Sequence, residues 1–172
     1  MTRTPLVSLG PHDPADWLVV NDNVMGGRSL GSLSVGPTAV QFLGALDIVG
    51  GGFASFRSRG LLVGLGGCRA IHLQVRGDGR EWSCDLRAAA TVEGFGVTWK
   101  AAFPTQAGLA TLVRLPLESF RPTWRGQPVP PERIPDDQPF PDAMQSLGFT
   151  IADGRDGAFR LEVLAVEGEL RG

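Results

Sequence analysis

The sequence has no tyrosine, one lysine (Lys100), two histidines and two cysteines. Each scarcity removes a chemistry. There is no phenolic acid, and His12 and His72 are the only imidazoles. A cysteine nucleophile needs a base within hydrogen-bond reach, and a zinc site needs three or four closely spaced Cys, His or carboxylate ligands. Neither pattern is present, so no cofactor or metal is expected. Carboxylates are scattered; Asp136 with Asp137, and Asp153 with Asp156 around a glycine turn, are the nearest to a calcium site or a hydrolytic pair. No apolar run reaches the length of a signal-peptide core or a membrane span, so the chain reads as cytoplasmic, without membrane insertion. In that compartment Cys68 and Cys84 stay reduced. The net charge of −2 supplies no basic excess, so nucleic acid is not an expected partner.

Present in excess are 24 glycines and 13 prolines, over a fifth of the 172 residues. Average usage of the pair is about 12%, so turns and breakers are roughly twice as dense as usual. No window of a dozen residues carries an apolar stripe at helical spacing, whereas several segments alternate with a period of two. In residues 95–103, Phe95, Val97, Trp99, Ala101 and Phe103 alternate with Gly96, Thr98, Lys100 and Ala102. Near the C-terminus Phe159, Leu161, Val163 and Ala165 alternate with Arg160, Glu162 and Leu164. Residues 39–48, 53–58, 110–115 and 146–152 are further strands bounded by Gly, Pro, Asp or Ser. The class is all-β, and short strands at this spacing suggest a sandwich or jelly roll. Residues 1–172 read as one domain, with no repeat or composition shift to divide them.

Residues 70–87 predict a hairpin, because Asp78-Gly79 suits a two-residue type I′ turn. That register sets Val75 against Trp82, Leu73 against Cys84 and Ile71 against Leu86 on one face. It sets Gln74 against Ser83 and His72 against Asp85 on the other. It also separates Cys84 from Cys68 by about 16 Å, beyond disulfide reach. Residues 121–145 hold seven prolines, at 122, 128, 130, 131, 135, 139 and 141. They form neither a helix nor a central strand. Either a functional loop or a proline-stiffened strap over the sandwich results.

Candidate binding residues gather around the glycines. Residues 17–29, WLVVNDNVMGGRS, offer a polar site built from Asp22, Arg28 and Ser29, or else a loop whose side chains satisfy their own backbone. Residues 50–58, GGGFASFRS, lack the GK[ST] and following helix that a phosphate loop requires. Arg28, Arg57, Arg59, Arg76 and Arg80 all sit in or beside glycine turns and suit a protein or anionic-ligand interface. The single lysine also marks a general bias toward arginine. An enzyme would need a cleft joining His72 to Asp85, with Ser83 nearby.

In order and spacing, WLVVNDNVMGGRS, FLGAL, GGGFASFRS, VRGDGREW, LPLESFRPTWRG and SLGFTIADGRDGAFRLEV resemble the complex I intermediate-associated protein 30 family, from about Trp17 to Val166. The resemblance implies a galactose-binding-domain-like jelly-roll β-sandwich and a role like that of complex I assembly factors. It carries the family motif onto Asn21, Asp22, Met25, Gly26, Gly27, Arg28 and Ser29, then Gly51, Gly52, Phe53 and Arg57. Arg76, Gly77, Asp78, Gly79 and Arg80 follow, and last Phe120 and Gly126. It implies no catalytic residue. The chain resembles a free-standing bacterial-type member without a presequence. The expectation is a non-enzymatic module that binds a protein, either a respiratory-complex subunit or an assembly intermediate. Its candidate contacts are Asn21, Asp22, Arg28, Ser29, Phe53, Arg57, Arg76, Asp78, Arg80 and Trp124. The alternative is a carbohydrate or small-ligand module, with Trp124 as its exposed stacking platform because Trp82 and Trp99 point inward.

Overall fold

The computed structural model describes residues 1–9, 16–88 and 96–172. His12 and Phe95 lie outside the described residues. Within them the strands are β1 (Arg3–Pro5), β2 (Trp17–Asn21), β3 (Leu30–Val35), β4 (Val40–Leu46), β5 (Ala54–Ser58), β6 (Cys68–Arg76) and β7 (Glu81–Ala88). There follow β8 (Thr98–Pro104), β9 (Ala110–Pro116), β10 (Arg121–Trp124), β11 (Gln127–Pro128), β12 (Met144–Ile151) and β13 (Gly157–Leu170). They pair antiparallel into two sheets. One runs β3-β4-β13-β6-β9, with β1 also on β13; the other runs β11-β10-β8-β7-β12-β5-β2. Among the described residues no helix is long and apolar enough to cross a membrane.

The period-two alternation aims one side of each strand into a shared core. Phe42, Phe56, Trp82, Phe149 and Phe159 are all buried there. Their rings meet in a chain: Phe42 lies 4.8 Å from Phe56 and 5.2 Å from Phe159, with Phe149 5.4 Å from Phe56 and Trp82 5.7 Å from Phe159. Tilted and edge-on packing at these separations is the favoured geometry for aromatic pairs.

The 70–87 hairpin does not form. β6 pairs with β13 and β9, and β7 with β12 and β8, so the two segments belong to different sheets. Ile71, Leu73 and Val75 do face the core, as do Trp82, Cys84 and Leu86. They meet face to face through the core, and not side by side in one sheet. A type I′ turn needs positive φ at both central residues, and here only Gly79 has it, at +89°. The turn is instead bent across the sandwich by side chains. Asp78 Oδ1 accepts the Arg80 N–H at 3.0 Å, and Asp78 Oδ2 accepts the Arg160 N–H at 2.7 Å. Thr105 Oγ1 accepts the Gly79 N–H and donates to the Arg80 carbonyl. His72 and Asp85 therefore stand on the outer faces of opposite sheets, and Cys68 and Cys84 lie in different sheets. Both cysteines are buried and free.

Two other segments depart from simple alternation. A bulge in β13 between Val163 and Ala165 shifts the phase, so Val166 is buried where Ala165 was expected. The proline-rich segment becomes two short strands at the sheet's margin, β10 paired with β8 and β11 at the edge, followed by a 3-10 turn and a strap. Phe140, in the strap, stacks on Trp99 at 4.2 Å and an 18° interplanar angle, and also approaches Phe120. The strap thus closes one end of the core.

Candidate functional site

The three glycine-rich blocks meet at the other end of the sandwich, where they are knotted from inside. Asp22 is completely buried. Its carboxylate accepts the Ser29 N–H at 2.9 Å, the Ser29 hydroxyl at 2.6 Å and the Gly52 N–H at 2.7 Å, with the Phe53 N–H at 3.4 Å. The Asp22 N–H donates back to the Phe53 carbonyl. One carboxylate therefore joins residues 21–29 to residues 50–53. Burial raises its pKa, but the hydrogen bonds from Ser29, Gly52 and Phe53 outweigh burial and leave it below the ordinary value. The glycines are needed for close approach: a Cβ on Gly27 or Gly51 would lie within 2.6 Å of an Asp22 carboxylate oxygen.

Arg80 makes the second knot. It is buried, and it holds Asp153 bidentately, Nε to Oδ2 at 2.8 Å and Nη2 to Oδ1 at 2.6 Å. It also donates to the Gly157, Ala158 and Arg155 carbonyls. The pairing lowers the pKa of Asp153 and raises that of Arg80. Asp156 accepts the Ile48 N–H at 2.8 Å, and Ser29 Oγ accepts the Asp47 N–H at 3.0 Å, so the two knots are linked through residues 47–48. Asp22, Ser29, Asp78 and Arg80 are thus engaged within the chain. Asp153 and Asp156 are engaged likewise, and among the described residues no group of three or more His, Cys, Asp or Glu could hold a metal.

What these knots present to solvent is apolar. Val24 and Met25, in the turn after Asp22, are 68% and 64% exposed; Leu30 and Val49 are 72% and 73% exposed, and Ile48 beside them is also exposed. Residues 26 and 50 touch, since a Cβ on Gly50 would sit 3.8 Å from the Gly26 carbonyl. Arg28 is exposed on the same tip, and Phe53 is half-buried beneath it. The candidate contacts read from the sequence are mainly the polar residues of this motif and include neither Val24 nor Met25, although Met25 belongs to the family motif. The cue was available: two large apolar residues inside a turn otherwise made of Asn, Asp and Gly.

The remaining candidates lie elsewhere. Asn21 ends β2, with its Nδ2 near the Gly31 carbonyl at 3.5 Å. Arg76 pairs with Glu162 at 3.0 Å on the outer face of the six-stranded sheet. Trp124 is half-buried at the far end, its ring 4.7 Å from the Arg125 guanidinium. Arg57 stands on the outer face of the seven-stranded sheet. A cluster not anticipated from the sequence lies on the outer face of the six-stranded sheet, with Glu169 buried beneath two half-exposed arginines. There Glu169 is bound by Arg114 at 2.9 Å and 3.1 Å and by Arg69 and His72. Those partners hold its carboxyl well below the usual carboxylate range, against the effect of burial. Its three partners lie 55 to 100 residues from Glu169 in sequence, so no local pattern announces it.

Similarities to known proteins can be set beside this geometry. A family 11 carbohydrate-binding module from Clostridium thermocellum, solved with a β-1,3-1,4-mixed-linked tetrasaccharide, superposes with a TM-score of 0.70 at 14% identity, over 98% of this chain and 97% of that one. The corresponding module of cellulase Lic26A-Cel5E of Clostridium thermocellum gives 0.66 at 14% identity, over 91% and 88%. The agarase AgWH50C gives 0.62 at 9% identity, over 100% of this chain and 25% of that one. At such identities these likenesses establish the fold, a galactose-binding-domain-like jelly-roll β-sandwich. No curated protein matches the chain. Residues 9–163, including all three knotted glycine blocks, match one family, and the chain belongs to it: Complex I intermediate-associated protein 30 (CIA30).

Proposed function

We propose that this protein is a non-catalytic protein-binding module that acts as a respiratory complex I assembly factor. It would dock a complex I subunit or assembly intermediate through the tip formed by Val24, Met25, Arg28, Leu30, Ile48 and Val49. The observation that carries this reading is the division of labour within the family motif. Its buried polar pair, Asp22 and Ser29, with Gly27 and Gly51 packed close to the Asp22 carboxylate, fixes two loops, and these loops and their flanks expose large apolar side chains. Contiguous exposed apolar surface marks interaction sites, and loops ordered in advance lose less conformational entropy on binding.

Placing a photo-cross-linking residue at Met25, and a control at Leu112, tests this. Leu112 is 80% exposed on the far edge strand β9. The expected result is cross-linking from position 25 to complex I intermediates and none from position 112. Equal capture from both, or none from 25, contradicts it.

The carbohydrate reading draws on the fold likeness. The tryptophans do not favour it: Trp17 and Trp82 are buried and Trp99 is covered by Phe140. Trp124 is therefore its remaining platform. The catalytic reading loses its candidate pair, since His72 and Asp85 are on opposite outer faces.

A further inference from the structure

On the outer face of the seven-stranded sheet, Arg57 and Arg87 form no ion pair with a carboxylate among the described residues. In register, Arg57 lies opposite Gly148, Gly148 opposite Asp85, and Arg87 opposite Ser146. Gly148 has no side chain, so a shallow recess opens over it, lined by Ser55, Arg57, Asp85, Arg87, Ser146 and Gly148. The floor has to be glycine, because a Cβ there would come within 2.6 Å of Arg57 Cβ and meet the Phe56 carbonyl. Asp85 is already committed, accepting Ser83 Oγ at 2.7 Å, Lys100 Nζ at 2.9 Å and Thr150 Oγ1. Arg69, Arg76, Arg80, Arg114 and Arg160 each reach a carboxylate. Arg57 and Arg87, by contrast, make no side-chain hydrogen bond or ion pair with another described residue. Burial and the neighbouring Arg57 charge pull the pKa of Arg87 below its ordinary value.

We propose that this recess is a carboxylate-binding site in which one carboxylate is held between Arg57 and Arg87. Counting Lys100 and Asp85, the local charge is +2 on a protein whose net charge is −2. A bound monoanion relieves the repulsion between the two guanidiniums, and a planar carboxylate matches their fork. The floor has room for about one water-sized group, and Asp85 stands beside it. Both features favour a carboxylate over a bulkier phosphate dianion. The site is independent of the docking tip and stands or falls separately from it.

Amide NMR titrations of the full chain at constant ionic strength test the proposal. The probes are acetate, glucuronate, a pentaglycyl-aspartate peptide and inorganic phosphate. The carboxylates should give saturable shifts centred on residues 55–57, 85–87 and 146–148, with phosphate weaker. Glucuronate binding more tightly than the peptide would point to a small acid, and the reverse to a polypeptide. Arg57→Gln and Arg87→Gln should each weaken binding about tenfold, the scale of one lost charge-assisted contact, while Arg3→Gln, on β1 of the other sheet, leaves it unchanged. Should one of the two variants fail to fold, the other and the wild-type titration still decide. Absent or non-saturable shifts, tighter binding of phosphate, or shifts unaffected by both substitutions overturn it.

Discussion

Asp22 at the motif tip and Arg57 with Arg87 on the outer sheet face are charged groups that meet opposite environments. The Asp22 carboxylate is surrounded by donors from two loops, and the surface above it is apolar. The two arginines share a polar recess whose carboxylate among the described residues, Asp85, is engaged elsewhere. The difference separates charge that builds the fold from charge left over for a ligand. Removing a charge of the first kind leaves several buried donors unpaired and is costly; removing one of the second kind leaves nothing unpaired.

Substitutions can break or sharpen that contrast. Asp22→Asn should be the most damaging, because an amide cannot accept all the donors that converge on it. A loss of about 3 kcal/mol, or roughly 10 °C in Tm for a chain of this size, is expected by calorimetry. Gly27→Ala and Gly51→Ala should cost about 2 kcal/mol each by forcing a methyl against the same carboxylate. Arg80→Lys keeps the charge but loses the bidentate grip on Asp153, with an expected cost of about 1.5 kcal/mol.

Acid should reveal the same division. The folded-state pKa values of Asp22, Asp153 and Glu169 are all lowered. Their stabilisation is present above the unfolded carboxylate range and is lost as pH falls through the folded values. Tm should therefore drop below about pH 4, less steeply in Asp22→Asn. The smallest effect belongs to Arg87→Gln, whose Tm should stay within about 2 °C of wild type or rise slightly. A drop as large as that of Asp22→Asn would erase the contrast.

Strand positions and inward faces were readable because period-two alternation reports burial directly. Pairing was not. Ile71, Leu73 and Val75 opposite Trp82, Cys84 and Leu86 make the same apolar pattern whether two strands lie side by side or face each other through a core. Asp-Gly suited both outcomes, and Thr105, a distant residue, decided between them by fixing Gly79 and Arg80. The glycine blocks were legible as motifs, but Asp22's partners come from both sides of β3 and β4, so its inward aim was not. The Glu169 cluster and the Arg57–Arg87 recess likewise depend on cross-strand register that local spacing does not encode.

The most direct test of the division between a buried, fold-building half of the motif and an exposed, docking half is one capture measurement. Val24→Ser/Met25→Ser is compared with wild type for recovery of complex I assembly intermediates, with Tm recorded on the same preparations. Recovery should fall at least tenfold while Tm stays within about 2 °C. Undiminished recovery by a folded double variant would contradict the proposed docking tip.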